Sequence, residues 1–185
     1  LFFNYISFLI LGIFYAIFFK HKKYDKILFY GTSPITSAIP ALILSKIKKI
    51  PICLWLLDYW PYTLKDLGII KSRYLFAVSK FFTFLIYKSF DLILCQSKGF
   101  ENHLSKKITT KISHLYSWPE KVFLEDTKRN KLQKYKKNFK VLFAGNIGKA
   151  QNLENLFKTI YLLKKNENIK FFFIGDGSEK KKYEF

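Results

Sequence analysis

Two short stretches of this chain have the residue types and spacing to hold an anion. Gly145-Asn146-Ile147-Gly148-Lys149 follows the apolar run Phe139–Phe143, and Gly175-Asp176-Gly177 follows Ile169–Ile174. A strand that stops at glycines and hands over to a polar, helix-starting segment exposes backbone N–H groups, and a helix N-terminus adds about half a positive charge. Gly145 and Gly148 admit the backbone close to a diphosphate, and Lys149 adds a compact ammonium charge. The spacing is not Gly-x-Gly-x-x-Gly, so the nicotinamide-dinucleotide fingerprint is not met. Read without a ligand, each stretch is a tight turn, and Asp176 is a cap for a helix starting at Ser178.

A second kind of chemistry lies at Asp58-Tyr59-Trp60-Pro61, which closes the apolar run Pro51–Leu57. Open α/β sheets bind ligands at the C-terminal ends of their strands. There Asp58 can orient an acceptor hydroxyl, and Trp60 offers a flat face to a sugar ring. Asp with Pro is also ordinary turn chemistry, and a cap-and-turn role stands beside the binding one. Thr32-Ser33-Pro34 follows the run Lys26–Tyr30 in the same manner. Ser97, after Asp91–Cys95, reads as a helix cap.

The elements that must position these residues alternate. Strand-like runs at Lys26–Tyr30, Pro51–Leu57, Asp91–Cys95, Lys111–Leu115, Phe139–Phe143 and Ile169–Ile174 are separated by helix-length segments at Ile35–Lys48, Ser72–Ser89, Lys98–Lys106 and Gln151–Lys165. This alternation predicts parallel strands with crossover helices on both faces, and the continuous apolar strands suit burial on both sides. Leu153, Leu156, Phe157, Ile160 and Leu163 form one helical stripe. Pro40 kinks or delays the second helix.

Of 185 residues, 50% are hydrophobic, which suffices for a core and excludes a disordered polymer. The formal net charge is +19, and seven basic residues with no acidic one lie between Lys128 and Lys140. Such a field attracts anionic lipid, phosphate-bearing substrates or nucleic acid, although a lysine-rich composition alone also produces it. Cys53 and Cys95 sit singly in apolar runs and read as buried free thiols of a reducing compartment. Three isolated histidines offer no metal-ligand spacing. Leu1–Phe19 is nearly all apolar and precedes Lys20-His21-Lys22-Lys23. It reads either as a helix packed on the strand that follows or as a membrane helix. The cluster Phe81-Phe82-Thr83-Phe84 with its flanking lysines reads as core or as a lipid-interface surface.

Taken in order, PICLWLLDYWPYTLKDLGII (Pro51–Ile70), SWPE (Ser117–Glu120), LFAGNIGKAQNLE (Leu142–Glu154) and FFFIGDG (Phe171–Gly177) resemble the retaining, metal-independent glycosyltransferases of family 4, in particular the branch that builds bacterial capsule and O-antigen polysaccharides. The resemblance implies an α/β chain of two Rossmann-like lobes, the GT-B fold, both incomplete here. Residues 1–116 correspond to the acceptor lobe, 117–138 to a basic linker and 139–185 to the nucleotide-sugar donor lobe, with a cleft between lobes. It implies donor contacts at Gly145, Asn146, Ile147, Gly148, Lys149, Gln151, Gly175, Asp176 and Gly177, acceptor contacts at Ser33, Pro34, Asp58 and Trp60, and catalytic roles for Lys149 and Asp58. The implied donor is a UDP-sugar of N-acetylhexosamine type, with no cofactor and no metal. The implied acceptor is a lipid-linked glycan at the cytoplasmic face of the inner membrane, where the basic surface would attach peripherally; no nucleic acid partner is expected.

The family's paired glutamates, with seven residues between them, have no counterpart, because only Glu179 and Glu184 follow Gly177. With no methionine and an end about eight residues into a helix, the sequence reads as a fragment cut at both ends. The rival reading is a non-catalytic basic module that binds membrane or nucleic acid through charge.

Overall fold

The computed structural model describes residues 2–19, 23–121 and 135–183. Residues 122–134 of the expected linker, the basic flank at residues 20–22 and Glu184 lie outside them. The chain divides into two compact units, Leu1–Trp118 and Pro119–Phe185.

In the first unit β1 (Ile27–Gly31), β2 (Ile52–Leu56), β3 (Leu92–Cys95) and β4 (Lys111–His114) form a parallel sheet in sequence order. The register sets Gly31 beside Leu56, Leu56 beside Cys95 and Cys95 beside His114, so all four C-terminal ends share one edge. Repeated crossovers of one hand, in one direction, lay the connecting helices over one face. Burial agrees with this. Ile52, Leu54, Leu56, Ile93 and Cys95 point into a core with Ile35, Leu42, Tyr87 and Leu104. On the opposite face Leu28 and Tyr30 are 61% and 56% exposed. There Trp118 stacks on Trp55 at 5.5 Å, and Tyr30 meets Trp55 edge-on at 5.3 Å. The parallel α/β class holds in both units; in this one the described helices cover one face.

The helices are α1 (Phe2–Phe18), α2 (Ile39–Lys48), α3 (Tyr62–Asp66), α4 (Arg73–Lys88) and α5 (Lys98–Ser105). The first turn expected of the helix at Ile35 is a 3-10 turn, Ile35–Ala38, and Pro40 falls at the start of α2, where its missing N–H is no loss. Ser72 and Ser97 cap α4 and α5, their hydroxyls accepting from the N–H of Leu75 and Phe100. The short helix α3 was not expected from the sequence.

The expectation that residues 1–19 pack on the strand that follows them is corrected. Their main seat is α2 and the 3-10 turn, because Gly12 has no side chain where Pro40 arrives; a Cβ there would lie 2.8 Å from Pro40 Cγ. Among the described residues no helix is long and apolar enough to cross a membrane. Both cysteines are free, and burial, helped by the charge of Glu101, pushes the Cys95 thiol up to about 11.

In the second unit β5 (Phe139–Ala144) and β6 (Ile169–Ile174) pair in parallel, Phe139 beside Ile169 and Ala144 beside Ile174. The helices are α6 (Glu154–Leu163) and α7 (Lys180–Tyr183). Phe157 of α6 stacks on Phe173 of β6 at 5.0 Å and on Tyr183 of α7 at 4.2 Å. The helix expected from Gln151 therefore starts three residues later: Lys149–Gln151 is a 3-10 turn, broken from α6 by Asn152 in the left-handed region at φ 44°.

Leu54→Ala should lower stability in urea unfolding by about 2–5 kcal/mol, as for a fully buried leucine. Leu28→Ala on the open face should cost about 1 kcal/mol or less. Equal losses would place the core on the wrong face.

Candidate functional site

In the second unit the two glycine loops are knitted together by backbone. The N–H of Gly145 donates to Ile174 O at 2.9 Å, that of Ile147 to Asp176 O at 2.7 Å, and that of Glu179 to Ile147 O at 2.9 Å. So close an approach leaves no room for side chains. Gly175, at φ 151°, would place a Cβ 1.8 Å from Gly145 O, and Gly177, at φ 157°, would place one 2.3 Å from Ile147 O. Ile147 is the anchor: its side chain is 7% exposed, while Asn146 and Lys149 on either side face solvent. Gln151 folds back over the loop; with its amide turned so that the nitrogen faces the carbonyls, it donates to Gly148 O at 3.1 Å and Asn146 O at 3.2 Å.

Asp176 does not cap a helix at Ser178. Its carboxylate accepts from the N–H of Gly177 at 2.8 Å and lies 3.7 Å from Lys180. Nor does the N-terminus of α6 follow directly on the loop. Glu154 fills its first turn and pairs with Lys158 at 2.9 Å. Hydrogen bonding from Lys158, then its charge, holds the Glu154 carboxyl below its usual range. The positive groups at the loops are therefore Lys149, on its 3-10 turn, and Lys180, which lies against Asp176. The structure gathers Gly145 through Gln151 with Gly175, Asp176 and Gly177 into one cluster at the C-terminal edge of β5 and β6.

The first unit gathers a second cluster at its own C-terminal edge. Gly31 allows it: the carbonyl of Gly31 accepts from the N–H groups of Leu57 and Asp58 at 3.2 and 3.4 Å, while a Cβ on Gly31 would lie 2.6 Å from Leu54 Cδ1. Pro34 and Pro61 both follow cis peptide bonds, in the loops after β1 and β2. Ser33 Oγ donates to Asp58 Oδ2 at 2.7 Å, and Trp60 Nε1 donates to Ser33 Oγ at 2.8 Å. A carboxylate, a hydroxyl and an indole thus form a relay on an accessible edge, with Ser33 exposed and Asp58 and Trp60 half-buried. Such a group can orient a hydroxyl against a flat aromatic surface.

Sequence reasoning missed Tyr87. Its hydroxyl accepts from the N–H of Trp60 at 3.1 Å, which also donates to Asp58 O at 3.0 Å, and donates to Trp60 O at 3.3 Å, so one fully buried side chain of α4 bridges both backbone groups of Trp60. Burial is the main force that pushes its hydroxyl up, well above the usual phenol range. In the sequence Tyr87 is one more aromatic in an apolar stripe, with no local signal. Tyr59 beside it is 5% exposed, its ring stacked on Tyr62 at 4.9 Å.

Residues 125–185 match the family described as "Glycosyl transferases group 1". The chain is also similar to a "Probable glycosyltransferase WbjE" of Pseudomonas aeruginosa, at 28% identity over 163 residues. That alignment covers 80% of this chain and 40% of the relative, so the chain spans well under half of the relative's length. The family match covers both glycine loops.

Tyr87→Phe should cost about 0.5–1.5 kcal/mol in urea unfolding, because it removes the donor to Trp60 O, while the Trp60 N–H keeps Asp58 O as its acceptor. Ser33→Ala, on the exposed edge, should stay within about 0.5 kcal/mol; equal effects would remove Tyr87's role in holding the loop. In the second unit Gly175→Ala should cost at least about 1–3 kcal/mol, since φ 151° and the contact with Gly145 O both resist a side chain. An unchanged melting curve would mean that the loops are not interlocked.

Proposed function

We propose that this chain is part of a retaining glycosyltransferase that moves a sugar, of N-acetylhexosamine type, from a UDP-sugar to a lipid-linked glycan in surface-polysaccharide synthesis. The observation that carries the reading is the interlocked pair of glycine loops, lying within the segment similar to group 1 glycosyltransferases. Binding of the donor falls to Gly145–Lys149, Gln151 and Gly175–Gly177. As the sugar–phosphate bond breaks, negative charge grows on the diphosphate. The Lys149 ammonium and nearby backbone N–H groups stabilise that charge, without a metal, more in the transition state than in the ground state.

The acceptor role falls to the first unit. Asp58 orients the attacking hydroxyl, Trp60 supplies a stacking face, and Ser33 with Pro34 shapes the loop. The Ser33–Asp58–Trp60 relay supports this role because it fixes a carboxylate beside an aromatic plane. In this reading residues 1–116 form the acceptor lobe and residues 139–185 the donor lobe. The protein works at the cytoplasmic face of the inner membrane, held there peripherally by its positive charge.

Lys149→Ala in the full-length protein should lower kcat by about 10²–10³ with the fold intact, the usual cost of removing one group that stabilises transition-state charge. Turnover is followed by UDP release and folding by circular dichroism. Unchanged turnover would reduce Lys149 to a solvated turn lysine and remove the proposed catalytic group.

A further inference from the structure

α4 has two apolar faces where a surface helix of a soluble unit has one. Its inward face carries Thr83 and Tyr87, both buried in the core. Its outward face carries Tyr74, Leu75, Val78, Phe81, Phe82 and Leu85, which are 36–75% exposed. At about 100° per residue these six positions fall within an arc of about 120°, a continuous stripe along the helix. A stripe of large apolar side chains left in water marks an interaction surface.

The charges around the stripe indicate what covers it. Lys88 borders the stripe, Arg73 and Lys80 lie farther round the same side of the helix toward Tyr87, Lys71 precedes it, and no acidic residue occurs from Leu67 to Phe90. Ile69, just upstream in sequence, is 65% exposed. An apolar strip bordered by cations alone matches an anionic lipid surface, where the ring and aliphatic groups enter the headgroup layer and the cations meet phosphate. At 16 residues, about 24 Å, the helix lies in the plane of such a surface. α1 is also apolar and exposed, but Phe2–Phe18 carries no charge along its length, and the cations that follow it in sequence, Lys20, Lys22 and Lys23, come after one end of the run instead of along it.

We propose that α4 is an interfacial helix that seats its outward face in an anionic lipid bilayer. The proposal rests on the membrane-side setting of the proposed transferase and names the surface responsible. The geometry adds a consequence: Tyr87 on the inward face of α4 holds the Trp60 loop, so the membrane-seated helix and the candidate acceptor cluster are one packed structure.

Vesicle co-sedimentation tests the proposal, using the chain with phosphatidylcholine vesicles made with or without phosphatidylglycerol. The parent should bind only the anionic vesicles. Phe81→Ser/Phe82→Ser and Lys80→Gln/Lys88→Gln should each weaken binding more than tenfold, at about fivefold per lysine. Circular dichroism reports whether the variants fold. Phe82→Trp, which keeps an aromatic ring, should gain quenching by brominated lipid beyond the parent's, and so reads insertion without relying on a loss. Three outcomes would overturn the proposal: equal binding by the α4 variants, loss of binding only with Phe14→Ser/Phe18→Ser in α1, or a vesicle-free dimer that Phe81→Ser/Phe82→Ser dissolves. UDP binding measured on the same samples reports on the transferase reading separately.

Discussion

Parallel pairing in register is the constraint on which everything else rests. It brings the C-terminal ends of neighbouring strands to one edge, so the loops that leave them are neighbours whatever their distance in sequence. Gly31 beside Leu56 brings Ser33 to Asp58, 25 residues away, and Ala144 beside Ile174 brings Gly145 to Gly175. The glycines matter because adjacent strand ends crowd the backbone that leaves them. At Gly31, Gly175 and Gly177 a side chain would collide with a neighbouring strand or loop. Each cluster is therefore a consequence of sheet geometry, refined by a few positions without a Cβ.

Packing stiffens one cluster differently from the other. In the first unit the core beneath the sheet is mostly aliphatic, and Tyr87 reaches from it to hold the backbone of Trp60 from below. The relay of Ser33, Asp58 and Trp60 rides on that support. In the second unit the loops hold each other, through Ile147 N–H to Asp176 O and Glu179 N–H to Ile147 O, with the Ile147 side chain buried as a plug. A site that must meet a growing negative charge gains from such fixed donors, because they need no reorganisation as the charge appears.

Most strands were legible as apolar runs bounded by polar or glycine residues, and β4, Lys-Ile-Ser-His, by its place in the strand–helix alternation; the structure moves their ends by a residue or so. Ser97 was legible as a cap for an equally local reason. The start of α6 was not, because Asn152 adopts a left-handed conformation that the apolar stripe through Leu153 and Leu156 does not reveal. α3 is too short to show a period. The seat of α1 depends on Gly12 meeting Pro40, a tertiary fit that neither residue announces alone. In the candidate site, the glycine loops and the Asp58-Trp60 turn could be read as motifs. The hydrogen bonds joining Ser33, Asp58 and Trp60, and the support from Tyr87, arise from strand order and helix packing and leave no mark in local spacing.

The central claim is that the interlocked loops after β5 and β6 hold a nucleotide diphosphate. Backbone amide mapping by NMR during a UDP titration tests it most directly. The account predicts that the amide signals of Gly145–Lys149 and Gly175–Gly177 shift together and saturate along one binding curve, while those of β1–β4 stay in place. Saturable shifts confined to the loops after β1 and β2, or no shift in either glycine loop at saturating UDP, would contradict it.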